Sequence, residues 1–206
     1  MVNSEWVTIY IYNNNRYSLS KKEIIKQLIS AKEEFTGFCK GIDTDSFFYQ
    51  PQEKWSVAQN VKHLIISANT TKLAFTLPKF IVRLYTGKPN RPSRNYDELV
   101  NKYNLKLKQG GRASGIYIPK IISPQTGKET MLISFTKSME KLITSIDTKW
   151  VDQQLDQYLA PHPLLGKITL RELCYFTIHH TFHHLDIIKQ RLHDNKINLY
   201  VGTPDT

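Results

Sequence analysis

The stretch TLRELCYFTIHHTFHHLDIIKQRL, residues 169–192, combines the start signal of a helix with an apolar stripe and four histidines. Thr169 and Glu172 have the spacing of a capping box, in which the hydroxyl accepts a free backbone N–H and the carboxylate reaches back to the cap. At about 100° of rotation per residue, the apolar residues gather on one side; they are Leu170, Leu173, Ile187 and Ile188. The pattern predicts an amphipathic helix from Thr169 to about His193.

The four histidines of this helix divide between its two faces. Residues four apart share a face, which gives the pairs His180/His184 and His179/His183. The first pair falls within the apolar stripe. The second pair falls on the polar side together with Glu172, and its role stays open.

Two imidazoles on a buried face need an explanation, because each ring nitrogen must find a partner. Two histidines one helical turn apart are a common way to hold a transition metal. His63, on the apolar side of the second predicted helix, is the expected third ligand, and no Asp or Glu lies on that face within two turns. The alternatives are a polar pair buried for bundle specificity and a chance run of histidines.

A site of three neutral histidines leaves one coordination position open, which is typical of catalytic rather than structural zinc. Imidazole also suits nickel and iron. We therefore expect a divalent transition metal, zinc, nickel or iron, bound by His63, His180 and His184. The pattern identifies no catalytic side chain and no organic cofactor.

Three further helices are predicted outside this stretch. The capping box at Ser20 starts a helix that ends at Gly37 or Gly41, and the box at Ser56 starts one that is kinked at Pro78 and runs to Gly87. A third amphipathic segment covers residues 129–146. Four such segments predict an all-α fold, a four-helix bundle with a long crossover loop between helices 2 and 3.

The remaining segments are connections. Residues 88–128 form the long connection, with a short helix expected over 95–108 and an extended piece over 116–118. Residues 1–19 are expected to form an N-terminal arm. With 206 residues, 40% hydrophobic and 22% charged, the whole chain, residues 1–206, fits one soluble globular domain.

Cysteine content and hydropathy bear on the compartment. Cys39 and Cys174 lie far apart and form no metal-binding or disulfide pattern, which favours a reducing cytoplasm. Cys174, at the edge of the apolar stripe, is expected to be a packing residue rather than a nucleophile. The most apolar stretch, residues 73–85, is too short and too charged to cross a bilayer, so no membrane is expected.

The net charge of +10 raises the question of nucleic acid. Nine basic residues of the connection are interleaved with tyrosines: Lys88, Arg91, Arg94, Lys102, Lys106, Lys108, Arg112, Lys120 and Lys128. Such a segment can contact phosphates and stack on bases. No nucleic-acid-binding motif accompanies it, so a solvated face is the favoured interpretation.

Three stretches resemble a known family. Residues 175–192, in which two residues separate His180 from His183-His184-Leu185, look like the fourth helix of the DinB/YfiT-like metal-binding four-helix proteins. Residues 162–170 are similar to the turn before that helix in one subgroup, and residues 55–64 to the start of the family's second helix. The resemblance implies a metal triad of His63, His180 and His184.

The resemblance also implies classes of activity. Family members include transferases that use low-molecular-weight thiols such as bacillithiol or mycothiol, and others look like metal-dependent hydrolases or isomerases. For this chain we expect a thiol-dependent S-transferase or a hydrolase acting on a small molecule. The alternative function is a non-catalytic metal-binding or stress-associated bundle. A homodimer is a possible assembly. Tyr117 or Arg112 could cover the site from the connection. Ser67, Thr70 or Thr177 could orient ligands, although a small polar packing residue is the favoured interpretation of each.

Overall fold

The computed structural model describes residues 18–52 and 54–201. The predicted arm, residues 1–19, therefore lies outside the described residues apart from Ser18 and Leu19. No helix in the described part of the chain combines the length and the apolar character that a membrane span requires.

Eight α-helices and one β-hairpin make up the described chain. In order they are α1 (Lys21–Lys40), α2 (Thr44–Phe48), α3 (Val57–Thr76), α4 (Lys79–Thr86), α5 (Tyr96–Lys108), α6 (Lys128–Lys149), α7 (Gln154–Gln157), β1 (Leu159–His162), β2 (Gly166–Thr169) and α8 (Leu170–Val201). The long helices α1 and α3 each pack against both α6 and α8. They occupy opposite corners of a four-helix bundle, and the predicted all-α bundle is confirmed.

Capping boxes fix where the helices begin. Ser20 and Ser56 each accept a hydrogen bond from the backbone N–H three residues on, and the residue at that position bonds back to the cap. At the start of α8, Glu172 N–H donates to the Thr169 hydroxyl (3.2 Å) while Thr169 N–H donates to the Glu172 carboxylate (2.9 Å). These caps satisfy backbone donors that the helix itself leaves unpaired.

The core lies between the four long helices. Its buried side chains include Leu28 and Phe35 from α1, Val61 from α3, and Phe135 from α6. The rings of Phe35 and Phe135 pack with centroids 4.9 Å apart. Because close-packed cores resist displacement, α3 and α8 are held as rigid supports for the side chains between them.

The second predicted helix is broken rather than kinked at Pro78. α3 ends at Thr76, Leu77 is extended (φ −63°, ψ 147°), and α4 begins at Lys79. The residue before a proline is sterically driven out of the helical region, which makes a break the lower-energy outcome. Gly87 ends α4 with φ 80°, a conformation that glycine adopts without cost.

A β-hairpin that the sequence did not predict precedes α8. β1 and β2 pair antiparallel, with Leu159 opposite Thr169 and His162 opposite Gly166. Each strand has only four residues, and β1 contains Pro161. The alternation of apolar and polar residues is therefore too short to predict a strand. The hairpin contacts α4, α7 and α8.

The long connection between α4 and α6 contains secondary structure of its own. The expected short helix is confirmed as α5, which packs on α8. The expected extended piece over 116–118 is wrong, since Gly115–Tyr117 form a 3-10 turn. Gly111 passes so close to α5 that a Cβ atom would lie 2.7 Å from the Lys106 carbonyl oxygen.

Candidate metal centre

Three histidines from two helices meet in the bundle interior. His63 is supplied by α3, and His180 and His184 by α8, and all three are buried. The Nε2 atom of His180 lies 3.1 Å from Nε2 of His63 and 3.1 Å from Nε2 of His184. One ligand atom from each ring lies within 4.8 Å of the other two, an arrangement that could hold a metal ion.

Hydrogen bonds on the far side of two rings fix their orientation. The Nδ1–H of His63 donates to the Tyr117 carbonyl oxygen (2.7 Å), and that of His184 donates to Oδ1 of Asn60 (2.7 Å). Asn60 in turn donates from its amide nitrogen to the Ser56 carbonyl oxygen (2.8 Å), which leaves Oδ1 free to accept. A carbonyl oxygen only accepts, so both rings carry their proton on Nδ1.

The Nε2 atoms of His63 and His184 are consequently unprotonated and turn lone pairs toward His180. His180 can place at most one proton on its own Nε2, so it can satisfy only one of its two 3.1 Å contacts. A cation at the centre would satisfy all three lone pairs. The 3.1 Å separation is close to the ~3.3 Å expected between nitrogens that bind zinc tetrahedrally at about 2.0–2.1 Å, so the residues fit the metal.

Burial keeps these histidines in the neutral form that binds metals. It lowers the pKa of His63 below 6.5, and it lowers the pKa of His180 and His184 well below that value. The neighbouring histidines act in the same direction, because like charges repel.

An aromatic side chain and a backbone carbonyl complete the surroundings of the triad. The Trp55 ring lies parallel to His184 at a centroid distance of 6.3 Å and is 5.0 Å from His63. Arg191 holds the Trp55 backbone through a 2.7 Å hydrogen bond to its carbonyl oxygen. In the connection, the backbone oxygen of Tyr117 accepts a hydrogen bond from His63. The residue type at this position does not predict a contact made through the backbone.

The sequence analysis missed Asn60. It lies one helical turn before His63 on α3, and it is buried. A buried Asn three residues from an expected metal ligand is a usable signal, because metal-binding imidazoles commonly donate their second N–H to an oxygen nearby.

The second histidine pair does not join the triad. Tyr103 of α5 packs edge-on against His179 and His183, with ring centroids 5.8 and 6.1 Å away. The face predicted to be polar is therefore partly covered by the connection. Burial lowers the pKa of His179 to about 4, and its Nε2 atom has no hydrogen-bond partner among the described residues.

Glu172, predicted on the same polar face, is fully buried. Arg91 binds its carboxylate through two hydrogen bonds of 2.7 and 2.9 Å, and Arg94 adds a backbone and a side-chain hydrogen bond of 2.8 and 3.1 Å. Burial alone would raise the pKa of Glu172, but these bonds outweigh it and lower the pKa. Two of the nine basic residues of the connection thus clamp it to α8 instead of forming a solvated face.

A cavity of about 820 Å³ opens onto the triad. Most of its wall is apolar and comes from α3, α4, α5, the hairpin and α8; examples are Leu77, Ile81, Leu107, Leu159 and Phe176. Tyr117 and Arg112, expected as possible covers, both line it. Of the expected packing residues, Thr70 and Thr177 donate their hydroxyls to helix carbonyl oxygens four residues back, and the Ser67 hydroxyl lies 3.5 Å from Nδ1 of His180.

Neither cysteine belongs to the site. Cys39 and Cys174 are free and buried, and burial raises the pKa of each thiol to about 12. At neutral pH both are protonated and unreactive, which agrees with the expected packing role of Cys174.

The comparison with protein families agrees with the fold and the triad. The model of the DinB superfamily matches residues 27–188, a span that includes all three histidines. The chain belongs to the DinB superfamily, as the resemblance of its histidine motif implied. No curated protein matches the chain.

Proposed function

We propose that the protein is a cytoplasmic metal-dependent enzyme in which His63, His180 and His184 bind one divalent zinc, nickel or iron ion. In this proposal it acts as a thiol-dependent S-transferase or a hydrolase on a small molecule. The convergence of the three Nε2 atoms, while two rings donate Nδ1–H elsewhere, carries the proposal.

The lining offers no carboxylate or thiol. Among the described residues that line the cavity there is no Asp, Glu or Cys. In this proposal the nucleophile comes from outside the chain, as water or as a thiol cosubstrate. A divalent ion held by neutral histidines supplies Lewis acidity, which makes water or a thiol nucleophilic near neutral pH.

The cavity indicates the chemistry of the substrate. Its volume lies in the upper part of the range for small-molecule sites. Its wall is mostly apolar and offers few hydrogen-bonding groups. The triad histidines are among its polar groups, and Arg112 and Arg191 are the charged lining residues in the described part of the chain. A substrate with an apolar body and one reactive polar group fits this distribution.

Metal analysis of purified protein tests the triad. We expect about one divalent ion per chain, lost in His63→Ala, His180→Ala and His184→Ala. His193→Ala, an exposed histidine further along α8, is the matched control and should retain the ion. Equal metal content in the wild type and in His184→Ala would refute the site.

Activity assays then separate the two reaction types. Metal-loaded protein is incubated with an apolar electrophile and a low-molecular-weight thiol, and loss of free thiol is followed. A parallel reaction with apolar esters follows hydrolysis without thiol. Activity in neither assay, at full metal occupancy, would favour the non-catalytic metal-binding alternative.

A further inference from the structure

The short helix α4 carries an apolar row that no part of the described chain covers. Phe80 and Leu84, four residues apart and so on one face, are 72% and 86% exposed. Of the other residues of the helix, Val82 and Thr86 are buried, Ile81 and Tyr85 line the cavity, and Lys79 and Arg83 lie over the rings of Trp150 and Tyr158. We call Phe80 and Leu84 the α4 ridge.

The ridge adjoins the apolar lining of the cavity along α4. Ile81 and Tyr85 directly follow the two ridge residues in the chain; they line the cavity and are 39% and 78% exposed. Leu73, Leu77 and Ile118 also line the cavity and are about half exposed to solvent. Exposed apolar side chains grouped in this way are typical of an interaction site.

The charge of the chain is concentrated in the same region. Residues 54–128 contain 14 Lys and Arg but only two Asp and Glu, whereas the remaining residues contain 14 and 16. The segment that includes α3, α4 and α5 thus carries the entire positive excess. In the described part of the chain, Lys72, Lys79, Arg83 and Lys88, which flank the ridge in sequence, form no ion pair with a carboxylate.

We propose that α4 docks on an anionic lipid surface, with Phe80 and Leu84 inserted among the headgroups and with Lys72, Lys88 and other cations of the basic segment facing lipid phosphates. Amphipathic helices with apolar tips and basic flanks bind membranes in this way, without crossing them. The expectation that no membrane is involved concerned a span, which this mode does not require. The proposal does not rest on the metal centre.

The same observations disfavour the other occupants. A second copy docked on this face would bring two positive surfaces together, and like charges across an interface are costly. A nucleic acid would satisfy the charge and could stack on Phe80, but Leu84, which is more exposed (86% against 72%), would stay in contact with water. Lipid satisfies both the charge and the apolar row.

Vesicle sedimentation tests the proposal. We expect the wild type to bind vesicles of phosphatidylcholine with phosphatidylglycerol and to bind poorly to phosphatidylcholine alone, with binding weakened by salt. The Phe80→Ser/Leu84→Ser double variant should bind the anionic vesicles at least about tenfold more weakly, because it removes two inserted apolar side chains. Leu105→Ser is the matched control, since Leu105 is a half-exposed leucine on α5 in the same basic segment, and it should bind like the wild type.

Each other outcome overturns the proposal. Absence of binding to anionic vesicles would do so, as would equal binding by the double variant. A concentration-dependent dimer that the double variant abolishes would assign the ridge to a second copy. Binding to single-stranded nucleic acid that depends on the ridge, without vesicle binding, would assign it to nucleic acid. Chelator-treated protein should bind vesicles as the metal-loaded protein does, so failure of the metal proposal would be seen separately.

Discussion

Asn60 determines which nitrogen of His184 faces the other two histidines. Its Oδ1 atom accepts from Nδ1–H of His184, and its amide group is held by the Ser56 carbonyl oxygen. With that acceptor removed, His184 could carry its proton on Nε2, where it would block a metal. The asparagine therefore acts on the proposed ion only through the imidazole.

Replacement of Asn60 should separate orientation from coordination. Asn60→Ala is expected to lower metal affinity about 10–100-fold, the usual effect of removing an outer partner of a metal-binding histidine. Asn60→Asp keeps an acceptor oxygen and should retain most of the affinity. Competition against a chromogenic chelator measures both; equal affinities for the alanine variant and the wild type would contradict the assignment.

His162 should make stability depend on pH. Burial lowers its pKa to about 4, against an ordinary value of 6.5. Below about pH 6.5 His162 therefore binds a proton in the unfolded chain but stays neutral in the folded chain, so acidification favours unfolding. The loss of stability accumulates from pH 6.5 down to about 4, and then levels off.

The size of this effect can be read from a variant. Between pH 7 and pH 5 the free energy of unfolding of the metal-free protein should decrease in both proteins. The decrease should be smaller in His162→Gln than in the wild type, by roughly 1–2 kcal/mol. Urea titrations at the two pH values measure it. The same dependence in both proteins would show that His162 is protonated equally in the folded and unfolded chains.

The three candidate metal ligands were predictable, whereas the groups that support them were not. Periodicity placed His180 and His184 on the buried face of one helix, and the structure brings them to His63. Tyr117 acts through its backbone oxygen, which no residue type signals. Glu172 was placed on a polar face, because the helix pattern alone could not show that Arg91 and Arg94 would fold back over it.

At the scale of elements, hydrogen bonds hold the connection to the bundle on both sides of α5, in addition to the packing of α5 on α8. Arg91 and Arg94 hold its beginning to Glu172 at the start of α8. Near its end, His63 bonds to the Tyr117 carbonyl oxygen, and Gln59 donates to that of Pro119 (3.3 Å). The wall of the cavity that α5 supplies lies between these attachments.

Loss of the attachment at Glu172 should strongly lower the free energy of unfolding. Glu172→Ala leaves two arginines without their partner and removes the cap of α8, so we expect a loss of about 2–4 kcal/mol in the free energy of unfolding. Glu129→Ala, at an exposed glutamate in the first turn of α6, is the control and should change it by less than about 0.5 kcal/mol. Urea denaturation compares the two. Similar values would mean that the buried ion pairs contribute little.

Elements with complete local signals were predicted well. The helices that begin at Ser20, Ser56 and Thr169 carry capping boxes followed by long apolar stripes, and all three appear. The hairpin at Leu159–Thr169 is stabilised by what it packs against, so its four-residue strands carry little information of their own. The break at Pro78 was visible as a proline, but periodicity on both sides favoured a continuous helix.

For the whole molecule, the core and the histidine site are separate sources of order. Buried apolar side chains from all four long helices form one continuous cluster. This cluster does not need an ion to hold it together, in contrast to small folds whose core is too limited without metal.

Metal removal should therefore leave the bundle folded. After chelation we expect the far-ultraviolet circular dichroism to keep its helical signal, and the midpoint of thermal unfolding to fall only as far as loss of a bound ligand requires. Readdition of the metal should restore the midpoint. Collapse of the helical signal on chelation would instead identify a structural ion, and with it the non-catalytic alternative.

The distance along the chain between His63 and His180, 117 residues, has a consequence for biosynthesis. A ribosome delivers α3 long before α8, and domains assemble as their segments emerge. During that interval His63 is exposed alone, as a monodentate imidazole that cannot compete for scarce ions. Selective loading with the intended metal thus waits until α8 has been synthesised and packs against the other three long helices.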